Sequence, residues 1–101
     1  MSMGNVGDTG AITVVFEADR KRAAAYKGCD CIGECVIGIG FTRWVIQHTH
    51  VRPGFEGQGI AKKLVLKVVE EARKQQMKLT PVCPYAKKLL TGKEEYNDVL
   101  G

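Results

Sequence analysis

The sequence predicts an α+β fold with one α/β-type crossover: a mixed, mostly antiparallel sheet of about five strands, one main helix and short C-terminal helices. Three observations predict it. Four β-rich runs lie between residues 12 and 51, separated by short connections; one long amphipathic stretch follows over 58–76; and another apolar run comes directly after it, over 77–83. Short connections join antiparallel neighbours, whereas a helix-length crossover returns the chain parallel to the strand it left.

Each element has its own signature. Ile12-Thr-Val-Val-Phe16 is β-branched and alternating, and Glu17 to Lys21 is its polar turn. Arg22 to Lys27 reads as a second strand, Gly28 to Cys31 as a turn, and Ile32 to Ile39 as a third strand. The stretch Gly38 to Thr42 turns the chain into a long fourth strand, Arg43 to Val51. From Gln58 to Gln76, Ile60, Leu64, Val68 and Ala72 recur every four residues beside Ala61, Val65 and Val69, one apolar stripe to lie on a sheet. Lys62, Lys63, Lys67, Glu70, Arg73 and Lys74 form the wet face. Met77 to Cys83 is a fifth strand parallel to the fourth, Pro84 stops it, and Tyr85 to Leu90 and Glu94 to Leu100 read as short helices around Gly92.

A chain of 101 residues makes one domain, expected over 11–101 behind a flexible, polar and glycine-rich leader at 1–10. Hydrophobic content of 45% with 26% charged residues argues against a disordered chain. No apolar run reaches the roughly 20 residues of a membrane span and no signal pattern opens the chain, so the expected location is cytoplasmic, without membrane partners. There the four cysteines are expected as free thiols. A net charge of +4 favours an acidic partner, such as a phosphorylated ligand or nucleic acid.

The chemistry concentrates in residues 48–64, where a strand runs through a glycine-rich turn into a helix. Gly54, Gly57 and Gly59 free the backbone for close approach, and the unpartnered N–H groups of a helix start attract phosphate. Lys62 and Lys63 add positive charge, whereas Glu56 opposes it. A P-loop is excluded because Ile60 and Ala61 stand where Lys and Ser/Thr are required. A dinucleotide fingerprint is excluded because Gly57-Gln-Gly59-Ile-Ala ends on Lys62, with no long βαβ continuation.

What fits is V-x-P-x-x-x-G-x-G-[IV]-[AG]-x-x-L, filled by Val51, Pro53, Gly57, Gly59, Ile60, Ala61 and Leu64. This resembles the acyl-CoA loop of the GNAT N-acetyltransferase superfamily. H-T-x-V before it (His48, Thr49, Val51) and P-V-C-P-Y after the helix (Pro81 to Tyr85) resemble the short, single-domain branch, over roughly residues 12–99. The resemblance implies a GNAT-like fold and transfer of an acetyl group from acetyl-CoA to an amine acceptor, small molecule or protein. It also implies CoA contacts from Val51, Arg52, Pro53, Gly57, Gln58, Gly59, Ile60, Ala61, Lys62 and Lys63, and from Pro84 and Tyr85.

His48 and His50 lie two apart on one strand and share a side; either can take a proton near neutrality, or be a solvated strand residue. The resemblance favours His48 as base. Cys83 can be a nucleophile, an acid that reprotonates the CoA thiolate, or a small buried packing residue; the resemblance favours a catalytic role. Tyr85 and Tyr96 are alternative acids. Cys29, Cys31 and Cys35 have zinc-compatible chemistry but C-x-C-x3-C is not a zinc knuckle, so no metal is expected. Two rival readings remain: a CoA-binding domain without catalysis, and a KH-like RNA module on the G-x-x-G loop Gly54 to Gly57, where Glu56 would repel phosphates. Nucleic acid is therefore the less favoured partner.

Overall fold

A computed structural model describes residues 12–100. The leader expected over residues 1–10 lies outside the described residues. The elements are β1 (Ile12–Glu17), β2 (Arg22–Lys27), β3 (Asp30–Ile39), β4 (Arg43–Val51), α1 (Ile60–Lys74), β5 (Lys78–Pro81) and α2 (Pro84–Leu90). They form one sheet in the order β1-β2-β3-β4-β5, antiparallel through β4, with β5 parallel to β4 after the α1 crossover. This is the predicted topology. Among the described residues no helix is long and apolar enough to cross a membrane.

Several boundaries differ from the sequence expectation by one or two residues, and three differences bear on the site and the chain's end. The main helix starts at Ile60 rather than Gln58, because Gly59 takes a left-handed conformation (φ 77°) that closes the loop as the helix cap. The last strand stops at Pro81 rather than Cys83, because the N–H groups of Val82 and Cys83 both donate to the Ile46 carbonyl, each at 3.0 Å, and the chain turns into α2. The segment after Gly92 makes only a single 3-10 turn, Glu94–Tyr96. Leu100 then pairs with Leu79 in a parallel bridge.

The apolar stripe of α1, Ile60, Leu64, Val65, Val68, Val69 and Ala72, is buried. It packs on Ala23, Ala25, Cys35, Ile37, Trp44 and Ile46 of the sheet, and Phe16 stacks on Trp44 with ring centroids 5.4 Å apart. At about 25 cal/mol per Å² of apolar area, a fully buried Leu or Val contributes roughly 1.5–3 kcal/mol, so this stripe rather than helix propensity holds α1 in place.

One irregularity decides where the site residues go. In the β3–β4 pairing Ile37 faces Ile46 and Val36 faces His48, leaving Gln47 as an extra residue on β4. Side chains alternate along a strand, so a one-residue bulge inverts the phase beyond it. Trp44 and Ile46 face α1 before the bulge, and Thr49 and Val51 do so after it. His48 and His50 are thereby turned to the opposite face. There Arg22 donates from Nε to Glu17 Oε1 (2.7 Å) and from Nη1 to Glu34 Oε1 (2.8 Å), and Tyr26 donates its hydroxyl to Glu17 Oε2.

Candidate active site

Beyond Ile46 the partnership of β4 with β5 ends, because the last paired residues are Ile46 and Pro81. The two strands part where β4 bulges and β5 turns into α2. A cavity of about 390 Å³ opens on the α1 side of this gap. Its floor is Thr49 and Val51 of β4, one wall is the loop from Phe55 through Gly59 to Ile60 and Ala61, and Tyr85 of α2 stands opposite.

The loop bares its backbone at the start of α1. Gly54, Gly57 and Gly59 all have positive φ (94°, 83° and 77°). At each of them the space where a Cβ would project holds no atom within 4 Å, leaving room for a bulky ligand against the main chain. Intrahelical bonding starts with Lys63 N–H donating to the Gly59 carbonyl (3.1 Å), so the N–H groups of Ile60, Ala61 and Lys62 have no helical partner. No acidic side chain occupies the first turn. Glu56, the adverse charge of the loop, itself lines the cavity, and its Oε1 accepts a hydrogen bond from Gly54 N–H at 3.2 Å. Lys27 covers the Phe55 ring, its Nζ 5.6 Å from the centroid. Arg52, Pro53, Gln58, Lys62, Lys63 and Pro84 are exposed and do not line the cavity.

Cys83 precedes Pro84, the first residue of α2, and is only 4% exposed. Its Sγ–H donates to Thr49 Oγ1 at 3.7 Å, and Thr49 in turn donates to Cys35 Sγ at 3.5 Å. Burial pushes the Cys83 thiol up. The N–H of Ala86, the Thr49 hydroxyl, and the N–H groups of Tyr85 and Thr49 outweigh that, holding it below the ordinary cysteine value. The sulfur lies over the start of α2 without forming a side-chain cap. The Cys83 thiol thus sits beside the β4–β5 gap, against a residue that lines the cavity.

The predicted site residues are only partly brought together. Val51, Gly57, Gly59, Ile60, Ala61 and Tyr85 line one cavity, and Cys83 adjoins it through Thr49. His48 is exposed on the other face, its Nε2 3.8 Å from Glu34 Oε2, and His50 lies beside Glu34 in the register. Tyr96 is buried away from the cavity, under Arg73, whose guanidinium carbon is 6.0 Å from the ring centroid. Sequence reasoning missed Thr49 and Phe55 as lining residues. Thr49 stood inside the H-T-x-V motif, and the odd separation of five between apolar Ile46 and Val51 was the available sign of a bulge. No cluster of metal-ligating side chains exists among the described residues.

Free N–H groups at a helix start, a parted parallel strand pair and a thiol at the gap meet around this cavity. The sequence profile of GCN5-related N-acetyl-transferase matches residues 24–99, and the chain belongs to that family of N-acetyltransferases. It is also similar to a GCN5-like candidate N-acetyltransferase of Staphylococcus aureus, known from an NMR solution structure. The identity is 26%, covering 88% of this chain and 87% of that one, with a TM-score of 0.68. No curated protein matches this chain.

Proposed function

We propose that this N-acetyltransferase takes its acetyl group from acetyl-CoA and delivers it to an amine, with Cys83 as the group that carries it. The observation that supports this reading is the single cavity running from the free N–H groups at the start of α1 to Thr49, the contact of Cys83. The pyrophosphate of CoA would lie on the N–H groups of Ile60, Ala61 and Lys62, with Lys62 and Lys63 at hand as countercharge. The pantetheine arm would follow Val51 and Thr49 toward the gap, where β4 backbone groups freed by the parting of the strands can bond its amides.

In the transfer, the Cys83 thiolate attacks the thioester carbonyl, the bond to the CoA sulfur breaks, and the CoA thiolate leaves and is protonated from solvent or by Tyr85. The amine nitrogen then attacks the acetyl-cysteine carbonyl, the thiolate of Cys83 departs, and the amine gives up one proton. His48 would receive that proton if the amine arrives from the face of the sheet opposite α1, where the imidazole lies next to Glu34.

Two measurements test the reading. CoA should raise the melting temperature as mass action requires, and Gly57→Val should abolish the rise, because a branched side chain at φ 83° both strains the loop and fills the cradle. Incubation with acetyl-CoA and no acceptor should add one acetyl mass that maps to Cys83. A melting curve indifferent to millimolar CoA would refute the cradle; an unmodified Cys83 with normal turnover would leave direct transfer instead.

A further inference from the structure

Cys35 has no part in the transfer described above, yet it is a fully buried thiol that meets the one side-chain hydroxyl in contact with Cys83. The register sets this up, since Cys35 and Thr49 are direct cross-strand partners just beyond the bulge, on the α1 side. The three groups form a chain in which Cys83 Sγ–H donates to Thr49 Oγ1 and Thr49 donates to Cys35 Sγ. We propose that Cys35 is a positioning residue that steers the Thr49 hydroxyl, accepting from it while Cys83 is a thiol and donating to it once Cys83 is a thiolate.

Donor and acceptor capacity differs between the two states of Cys83. A thiolate only accepts, so when Cys83 loses its proton the Thr49 O–H must swing round to donate to that sulfur. Oγ1 then needs a donor behind it, and the Cys35 S–H is the group in place. A thiol at position 35 serves both states because it can donate and accept, whereas an alkyl group serves neither. The arrangement requires Cys35 to keep its proton when Cys83 does not. Burial pushes the Cys35 thiol up to about 11, against the Thr49 hydroxyl, which draws it down, and negative charge on Cys83 pushes it the same way as burial. No proton passes to Cys35; that of Cys83 leaves to solvent through the open cavity. This inference rests on reading Cys83 as the reacting group.

The test follows alkylation of Cys83 by iodoacetamide in the full chain, read by mass spectrometry of the Cys83 peptide across the neutral pH range. Thr49→Val should move the profile to higher pH and slow alkylation at neutral pH about fivefold, and Cys35→Ala about threefold in the same direction, since a thiol reacts as its thiolate. Cys35→Ser, which keeps a donor and acceptor, should stay within about twofold of the parent. A Cys35→Ala profile superimposed on the parent's, or a Cys35→Ser profile displaced as far as that of Cys35→Ala, overturns the proposal. Should Cys35→Ala fail to fold, an unchanged Thr49→Val profile overturns it alone. The assay contains no acetyl-CoA, so shifted profiles in a chain that transfers no acetyl group would count against the enzymatic reading of Cys83 and not against the steering of Thr49.

Discussion

Under α1 the sheet presents Ala23, Ala25, Cys35, Ile37, Trp44 and Ile46, and there the Thr49 hydroxyl links the neutral thiols of Cys35 and Cys83. On the opposite face the same strands present Glu17, Arg22, Tyr26 and Glu34, tied by charged hydrogen bonds, with His48 Nε2 3.8 Å from Glu34 Oε2. Arg22 is the centre of that network, its pKa raised above the ordinary arginine value by Glu17, against burial, and further by Glu34. The contrast separates two uses of polarity. On the α1 side, neutral N–H and O–H dipoles favour a thiolate without any fixed cation beside it; on the other side, full charges are matched by full charges and serve the sheet itself. His48 belongs by geometry to the charged face, and Cys83 to the neutral one.

The largest expected effect tests whether the chemistry lies on the α1 side. Cys83→Ala should lower acetyl transfer about a thousandfold or more while leaving the CoA-dependent rise in melting temperature in place, the mark of a group needed in the transition state. His48→Ala should cost about a hundredfold, within the range of a lost general base, with partial recovery as pH rises. Equal turnover by the parent and both variants would end the assignment of either face to the reaction.

Next in size is the charged face. Arg22→Met should destabilise by about 2 kcal/mol, because it leaves Glu17 and Glu34 without their shared partner, yet turnover per folded molecule should hold. Chemical denaturation and a rate measured on the same sample decide it; a large loss of turnover at intact stability would join the two faces functionally.

A pH series sharpens the contrast further. The Tyr26 hydroxyl and Arg22 hold the Glu17 carboxyl below the ordinary carboxylate range, despite some desolvation. A depressed folded-state pKa contributes stability that is present above the ordinary carboxylate pKa and lost as pH falls through the folded value. Acid should therefore weaken the protein, and Glu17→Gln should flatten that part of the curve. At the alkaline end Tyr26, raised chiefly by its bond to Glu17, loses stability as pH climbs past the ordinary tyrosine value. The smallest effect is the control: Phe41, 99% exposed at the tip of the β3–β4 turn, touches neither face, and Phe41→Ser should change stability by less than about 0.5 kcal/mol.

How far the fold could be read from sequence follows from the same contrast. The main helix was legible through its four-residue repeat and β1 and β4 through their β-branched residues, whereas Arg22–Lys27 has no β-branched residue and was legible only through the turns on either side of it. The cradle was legible because glycine spacing is itself the constraint. The bulge was not, since Trp44, Ile46, His48 and His50 keep a period of two that looks unbroken. Only Val51, apolar at an odd separation from Ile46 and turned to the same side, betrays the extra residue at Gln47. Hence His48 and His50 were correctly put on one side, while their side relative to Cys83 awaited the register. Cys35 carried no local signal at all, because its partner Thr49 is fourteen residues away and meets it only through strand pairing.

The far end of the chain bears on solubility. At four residues β5 is the shortest strand of the sheet and lies at one of its margins. An unpaired margin of this kind is a template for pairing with another molecule. Here the margin is occupied from within: Leu79 N–H donates to the Val99 carbonyl at 2.6 Å and Leu100 bridges Leu79. Arg73 and Lys78 fasten the same segment, with Arg73 on the Asp98 carboxylate at 2.9 and 3.0 Å and Lys78 on the Asp98 carbonyl at 2.7 Å. The closing residues thus act as a sealing strip against intermolecular β-pairing, and a chain shortened before Asp98 would expose Leu79 as a nucleus for aggregation while its cavity stayed whole.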